Sequence, residues 1–325
     1  MEINFKVPFW QIIYDALVKS SKVVWMMAKI MIPLSFVIKI LQQFGLMEYI
    51  GEVLAPVMNL MGLPGEMGIV WASAMLVNIY AGMMAYFILL PSLADPLTIA
   101  QVTVLSTVLL VAHTFPIEAL IANKCGVRLW FVLLGRIVPA ILFGTVLNFI
   151  YSTFHLLNEP SVTYIQFATE SETWLQWLLS LFYNFFIISI IIFALTLFVM
   201  ILKKYGMMDY INKALYPLVK LLGISKEGVT PIVIGLTMGL AYGGGIIITE
   251  IQKGSLKKQE ILYAIFFLGL CHSLIEDTLL MMSCGAHISG ILIFRVLFSF
   301  LLTWLLIFAT KKFGYRALIT KHSNL

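Results

Sequence analysis

The sequence predicts an all-α integral membrane protein. About ten membrane-crossing or re-entrant helices are expected, arranged as two inverted five-helix repeats. Three observations carry that prediction: a composition too apolar for water, ten apolar segments of helical length, and an internal repeat with an odd number of segments per copy. The 325 residues are 61% hydrophobic and 11% charged, with a mean hydropathy of +0.99. Soluble domains run at about 45–50% apolar and about 25% charged. A soluble enzyme, a nucleic-acid binder and a disordered chain are excluded on that ground. The net charge of +5 sits between apolar runs and reads as membrane topology. Three cysteines, Cys125, Cys271 and Cys284, are too few for a disulfide framework.

Residues 1–22 lack a cleavable signal peptide. Phe5, Phe9, Trp10, Ile13 and Leu17 lie beside Lys6, Lys19 and Lys22, a pattern that suits an interfacial helix; the ragged start of the first span is the alternative. The crossing candidates are 23–44, 47–62, 66–90, 98–121, 128–150, 183–202, 207–222, 228–250, 260–283 and 288–310. A span needs roughly 20 apolar residues. Segments 47–62 and 207–222 are short and carry Glu48, Glu52, Asp209, Lys213 and Lys220 with Pro56 and Pro217. They stay open as tilted spans, re-entrant pieces or surface helices. The expected organisation is an N-terminal helix over 1–22, one repeat over 23–150, a linker over 151–182, a second repeat over 183–311 and a tail over 312–325.

Charge favours crossing or deep insertion of both short segments. With ten crossings and the N-terminus inside, the basic loops fall on the inner side, among them Lys124, Arg128, Lys203, Lys204, Lys253, Lys257 and Lys258. Only Lys226 falls outside, next to loops that carry Asp95, Glu159, Glu170 and Glu172. This positive-inside pattern predicts an inner-membrane protein with both termini cytoplasmic.

The repeat appears when residues 41–50 are set over 202–211. It runs through Gly45/Gly206, Pro56/Pro217, Gly62/Gly223, Glu66/Glu227 and Gly82/Gly243, then shifts by two residues to pair His113/His272, Glu118/Asp277, Cys125/Cys284, Gly126/Gly285 and Arg136/Arg295. An odd number of crossings per copy inverts the second copy. Inverted repeats mark secondary transporters, whose sites lie near the midplane at the repeat interface. The bland alternative is a duplicated structural protein with no transport path.

A short Pro-containing segment, a Gly-rich span (Gly235, Gly239, Gly243, Gly244, Gly245) and a following polar-bearing span resemble the Gate, or "nucleoside recognition", family. That family is related to concentrative nucleoside transporters, spore-maturation membrane proteins and the membrane part of ferrous-iron permeases. The resemblance covers both copies and implies a transporter-like helical fold. No G-x-x-x-x-G-K-[ST] motif for a nucleotide-binding partner domain is present.

Ionisable groups inside spans are costly and are functional candidates by default. The strongest cluster is His272, Ser273, Glu276 and Asp277, where i, i+4 spacing pairs His272 with Glu276 and Ser273 with Asp277 on a helix. Its repeat mate is His113, Thr114 and Glu118, where Pro116 is expected to break the helix and free backbone carbonyls. Arg136 and Arg295 are the expected ion-pair partners of Glu118 and Asp277. Asn78, Tyr80 and Tyr242 add polar groups, and Gly243-Gly244-Gly245 is expected to favour unwinding. The clusters are expected to line one polar cavity.

The leading functional reading is a secondary transporter of a small polar organic solute, nucleoside-, dipeptide- or carboxylate-like, with proton or other ion coupling through the histidines and carboxylates. A divalent transition-metal permease is the second reading, although no dedicated metal site is expected, and a non-transporting membrane scaffold is the third. No enzymatic activity and no cofactor are expected, and the coupling ion, proton or sodium, is open. Expected partners are the solute and the bilayer, with a homodimer as one allowed assembly and no nucleic acid.

Overall fold

The computed structural model describes residues 8–93, 95–162 and 173–320. Among them the fold is all-helical, with no strand. Helix α1 (Phe9–Gln43) is continuous over 35 residues, about 52 Å at 1.5 Å per residue. No break separates an interfacial helix from the first span at residue 22; residues 1–7 lie outside the described set.

Two short helices, α2 (Leu46–Leu60) and α9 (Met207–Lys220), follow left-handed glycines at repeat-related positions, Gly45 (φ 65) and Gly206 (φ 69). At about 21–22 Å neither is long enough for the roughly 30 Å hydrocarbon core. Each buries little: Met58 on α2, Met208 and Val219 on α9.

The expected segments 66–90 and 228–250 do not run as single helices. Helices α3 (Met67–Leu76) and α4 (Ile79–Leu89) pack side by side as a hairpin, as do α10 (Lys226–Met238) and α11 (Leu240–Gln252). A Cβ on Gly82 would lie 2.6 Å from Ala74 Cβ, and one on Gly243 would lie 2.6 Å from Gly235 Cα. The ends of each hairpin lie together. Gly62, before α3, accepts from Gln101 at the start of the helix that follows α4 (3.0 Å), and Ser225, before α10, donates to Glu260 at the start of the helix that follows α11 (3.0 Å). Segments 66–90 and 228–250 therefore fold back on themselves. An apolar segment of this length reads as a span whether it crosses or reverses, because hydropathy does not register a chain reversal.

The next span of each half is broken: α5 (Ile99–Val111) with α6 (Phe115–Lys124), and α12 (Lys258–Cys271) with α13 (Glu276–Ser283). These two broken spans lie antiparallel. Thr103 near the start of α5 accepts from His287 N beyond α13 (2.8 Å), while Lys124–Gly126 at the end of α6 border Lys258 and Ile261 of α12. Helix α7 (Leu129–Thr153), α8 (Trp174–Lys204) and α14 (Arg295–Phe313), the last preceded by a π-helical turn Ser289–Phe294, form the outer shell. Helix α8 begins nine residues before the expected start of the second repeat, and residues 163–172 lie outside the described set.

Five helices among the described residues are long and apolar enough to cross a membrane: Ile99–Lys124, Leu129–Thr153, Trp174–Lys204, Lys258–Ser283 and Ser289–Phe313. The broken ones are central, with 72% of their most apolar window buried, against 22% for α8. The shell turns outward large side chains such as Val138, Phe149, Phe186, Leu301, Trp304 and Phe308, an apolar surface that only lipid or another chain can cover. The C-terminal segment docks on the α6–α7 turn: Arg128 N donates to Leu318 O (3.0 Å), Arg128 Nε to Ile319 O (2.9 Å) and Thr320 N to Gly126 O (2.9 Å). Residues 321–325 lie outside the described set.

Candidate functional site

The two helix breaks meet at the centre of the protein. Each is built from the same parts at repeat-related positions. Thr114 (φ 54) and Ser273 (φ 52) adopt left-handed backbone, uncommon for residues with a Cβ. Each is pinned by a hairpin: Thr114 N donates to Ala74 O (2.8 Å), and Ser273 N to Gly235 O (3.3 Å). The break in the first half precedes Pro116, which takes the second helical position of α6, where a missing N–H is harmless. Proline therefore starts the second half-helix rather than breaking the first.

A broken helix in a membrane leaves carbonyls to satisfy, and the arginines do this. Arg136 Nε donates to Val111 O (2.9 Å); Arg295 Nε and Nη2 donate to Leu270 O (3.1 Å) and His272 O (2.6 Å). Trp71 Nε1, which the sequence offers no reason to single out, covers Ala112 O (3.2 Å). These carbonyls are thus occupied rather than free to coordinate a solute. Arg136 Nη1 also makes the expected ion pair with Glu118. The expected Arg295–Asp277 pair is not formed within 4.0 Å among the described residues.

Asp277 turns instead to the other half. His113 Nε2 is 3.9 Å from both Asp277 Oδ2 and Glu118 Oε1, and His272 Nε2 is 3.0 Å from Glu118 Oε1. The two imidazole centroids are 5.0 Å apart. His113 and His272 are each 3% exposed, Glu118 7% and Asp277 9%. The four groups contact one another rather than lining an open polar cavity.

The remaining sequence candidates divide. Residues 272–275 are not helical, so the expected His272–Glu276 face does not form, whereas Ser273 does stand beside Asp277, whose N donates to Ser273 O (3.2 Å); Glu276 pairs across to hairpin one, accepting from Tyr80 Oη (3.3 Å). Asn78 is the cap of α4, its Oδ1 accepting from Ala81 N (2.9 Å). Gly243, Gly244 and Gly245 are helical within α11, and the chain turns four residues earlier, at Gly239 (φ 94). Gly243 serves close packing. The side chain of Tyr242 lies outside the described set.

The protonation logic of the centre follows from its hydrogen bonds. His113 Nδ1 lies 2.8 Å from Leu109 O, and His272 Nδ1 lies 2.8 Å from Leu268 O. A carbonyl only accepts, so both Nδ1 atoms carry the hydrogen. In the neutral ring Nε2 is then a lone pair. A lone pair facing a carboxylate oxygen at 3.0 Å is repulsive unless a cation lies between them. The centre is therefore chemically complete only with a proton, on His272 or Glu118, or with a metal ion.

The chain matches the Gate model, described as nucleoside recognition, over residues 24–128 and 185–297. It is 28% identical over 309 residues to the "Uncharacterized membrane protein YvoD" of Bacillus subtilis (strain 168), covering 93% of this chain and 96% of that relative. No solved structure matches. Each matched region holds one hairpin and one broken span, the four elements that build the centre, and together they take in most of the chain, which belongs to the Gate (nucleoside recognition) family of membrane proteins.

Proposed function

We propose that the protein is a secondary transporter of a small polar organic solute, nucleoside-, dipeptide- or carboxylate-like, driven by proton movement through the His113–Glu118–His272–Asp277 centre. The observation that carries this reading is the pair of imidazoles whose Nδ1 atoms are tied to their own helices and whose Nε2 atoms face carboxylates across the two halves. Such a centre holds a mobile cation where two hairpin tips and two helix breaks meet, and transporters with internal repeats place substrate and coupling sites at such junctions. The half-buried Tyr80–Glu276 pair forms its more accessible edge.

The transmembrane reading is six crossings, α1, α5–α6, α7, α8, α12–α13 and α14, with two hairpins entering from opposite sides. The antiparallel run of the two broken spans supports inverted halves. Charge supports the orientation. Lys124, Arg128, Lys213, Lys220, Lys226, Lys253, Lys257, Lys258 and Arg316 all fall on the side of the N-terminus, and the opposite loops carry Glu52, Glu66, Asp95 and Glu159 with no Lys or Arg. Lys226, the exception to a ten-crossing count, joins the basic side. Both termini are then cytoplasmic.

The test is uptake into proteoliposomes. Candidate nucleosides, dipeptides and carboxylates are screened under an inward proton gradient, with a protonophore as control. Uptake that ignores the gradient and survives His272→Ala would sink the coupling, and a chain that moves no member of the three classes would favour the scaffold reading. A divalent-metal permease is the second reading, favoured by one observation: ligand atoms of His113, His272 and Asp277 lie within 4.8 Å of one another. Metal-dependent stabilisation of the wild type, absent in His272→Ala, would move that reading to first place.

A further inference from the structure

The two halves do not hold their carboxylates alike. Glu118 and Asp277 are repeat mates, as are Arg136 and Arg295. In the first half Arg136 Nη1 holds Glu118. Each arginine leaves one buried nitrogen with no hydrogen-bond partner among the described residues, Nη2 in Arg136 and Nη1 in Arg295, so in the second half it is the nitrogen matching the carboxylate-holding one that is left over, on a residue 0% exposed. Asp277 is one methylene shorter than Glu118. Its Oδ2 stands 3.9 Å from His113 Nε2, beyond hydrogen-bond reach. A strong donor without an acceptor and a carboxylate that has only the Ser273 hydroxyl, and no cation, close to it thus sit on neighbouring segments of the same half.

Two further differences fall on those segments. Helix α6 carries Pro116 at its second position, where the ring fixes its backbone; the repeat mate of Pro116 is Ile275, in the break ahead of α13. Arg136 follows regular α-helix in α7, whereas Arg295 follows a six-residue π-helical turn, Ser289–Phe294. Single π turns inside helices concentrate at functional positions, and relaxing one to α re-aims whatever follows it. The strut that carries Asp277 and the strut that carries Arg295 are each less constrained than their first-half counterparts.

We infer that Asp277 is a mobile carboxylate with two partners: His113 in the state described here and Arg295 Nη1 in a second state. Glu118 and Arg136 form its fixed counterpart. The exchange withdraws one of the two acidic neighbours of His113, leaving Glu118, and gives the centre two discrete arrangements, which is what a coupled transporter must alternate between. Its role in transport rests on the function proposed above; its existence does not.

The experiment uses the full chain in detergent. Asp277→Glu adds the missing methylene and should close the second ion pair, raising the thermal unfolding midpoint by several degrees. In an Arg295→Gln background the same change should raise nothing. A shift that is equal in the two backgrounds, or a fall in both, overturns the inference. Because Asp277→Glu could fail to fold, a second measurement uses spin labels at the exposed positions Leu120→Cys and Met282→Cys, with Asp277 intact. Two distance populations are expected, collapsing to one on Arg295→Gln; a single population without that change overturns the inference. So does a carboxylate solute that stabilises the wild type but not Arg295→Gln while Asp277→Glu shows no coupling, since that assigns Nη1 to ligand. A chain that passes both measurements yet takes up no solute keeps the exchange and loses the transport reading.

Discussion

Gly243→Ala tests the hairpin architecture and its grip on the centre together. The new Cβ would lie 2.6 Å from Gly235 Cα, 2.9 Å from Pro231 O and 3.1 Å from Gly235 N. All three are backbone atoms, so no side-chain rotation relieves the contact. Carbon atoms settle at about 3.5–4.0 Å, so α10 and α11 must part by about 1 Å. Overpacking of this kind costs about 1–3 kcal/mol, against a gain of at most about 1 kcal/mol from replacing glycine in a helix. Gly245→Ala is the control, because nothing lies within 4 Å of its Cβ and only the propensity gain applies. The displaced residue also matters. Gly235 O accepts from Ser273 N at 3.3 Å, so a shift of this size breaks the bond that seats the second helix break. Gly243→Ala should therefore unfold at a lower temperature than wild type and lose uptake, while Gly245→Ala unfolds at or above the wild-type temperature and keeps uptake. Equal midpoints for the two variants would refute the hairpin reasoning.

Three other outcomes are expected. Arg295→Ala should lower stability strongly in detergent unfolding, because the Leu270 and His272 carbonyls lose their donor at about 1–3 kcal/mol each, whereas His272→Ala should fold near normally and abolish proton-driven uptake; equal damage from the two would make the cluster structural. Cysteines at Glu52 and Asp95 should label from outside, and those at Lys213 and Ser255 only from inside; labelling of positions 52 and 213 from one side would break the inverted arrangement. Deleting residues 314–325 should expose the 125–128 turn to limited proteolysis, since four hydrogen bonds with Gly126 and Arg128 are lost at about 0.5–1.5 kcal/mol each.

The repeat was legible because it lies in residues that cannot drift freely. Glycines with positive φ, at 45/206, 62/223 and 126/285, and ionisable groups in lipid are each held by backbone geometry or by partners. Convergence of His113 and His272 follows from the same pairing. Chain reversal at Asn78 and Gly239 was not legible from apolarity, although small residues eight apart, Ala74/Gly82 and Gly235/Gly243, mark where two helices of one segment touch. The broken Arg295–Asp277 symmetry has a visible cause, Asp in place of Glu. Its effect depends on a reach of one methylene, which spacing along a chain cannot measure. The tying of both Nδ1 atoms to Leu109 and Leu268 is an i, i−4 contact that any histidine at a helix end can make, and nothing in the sequence singles it out.

The exchange of partners between halves bears on how the chain is made. The first half enters the bilayer with Glu118 held by Arg136 and with His113 Nε2 facing only Glu118, at 3.9 Å, since Asp277 and His272 are synthesised more than 150 residues after their mates. A polar group waiting in hydrocarbon is held at a cost of several kcal/mol. The half-made protein is therefore an unfinished insertion intermediate rather than a resting domain, because the contacts of His113 with Asp277 and of Glu118 with His272 await the second half. Lesions in the second half that spare every contact of the first should thus be read by membrane quality control as defects of the whole chain, and co-expressed halves should each be cleared unless they find one another.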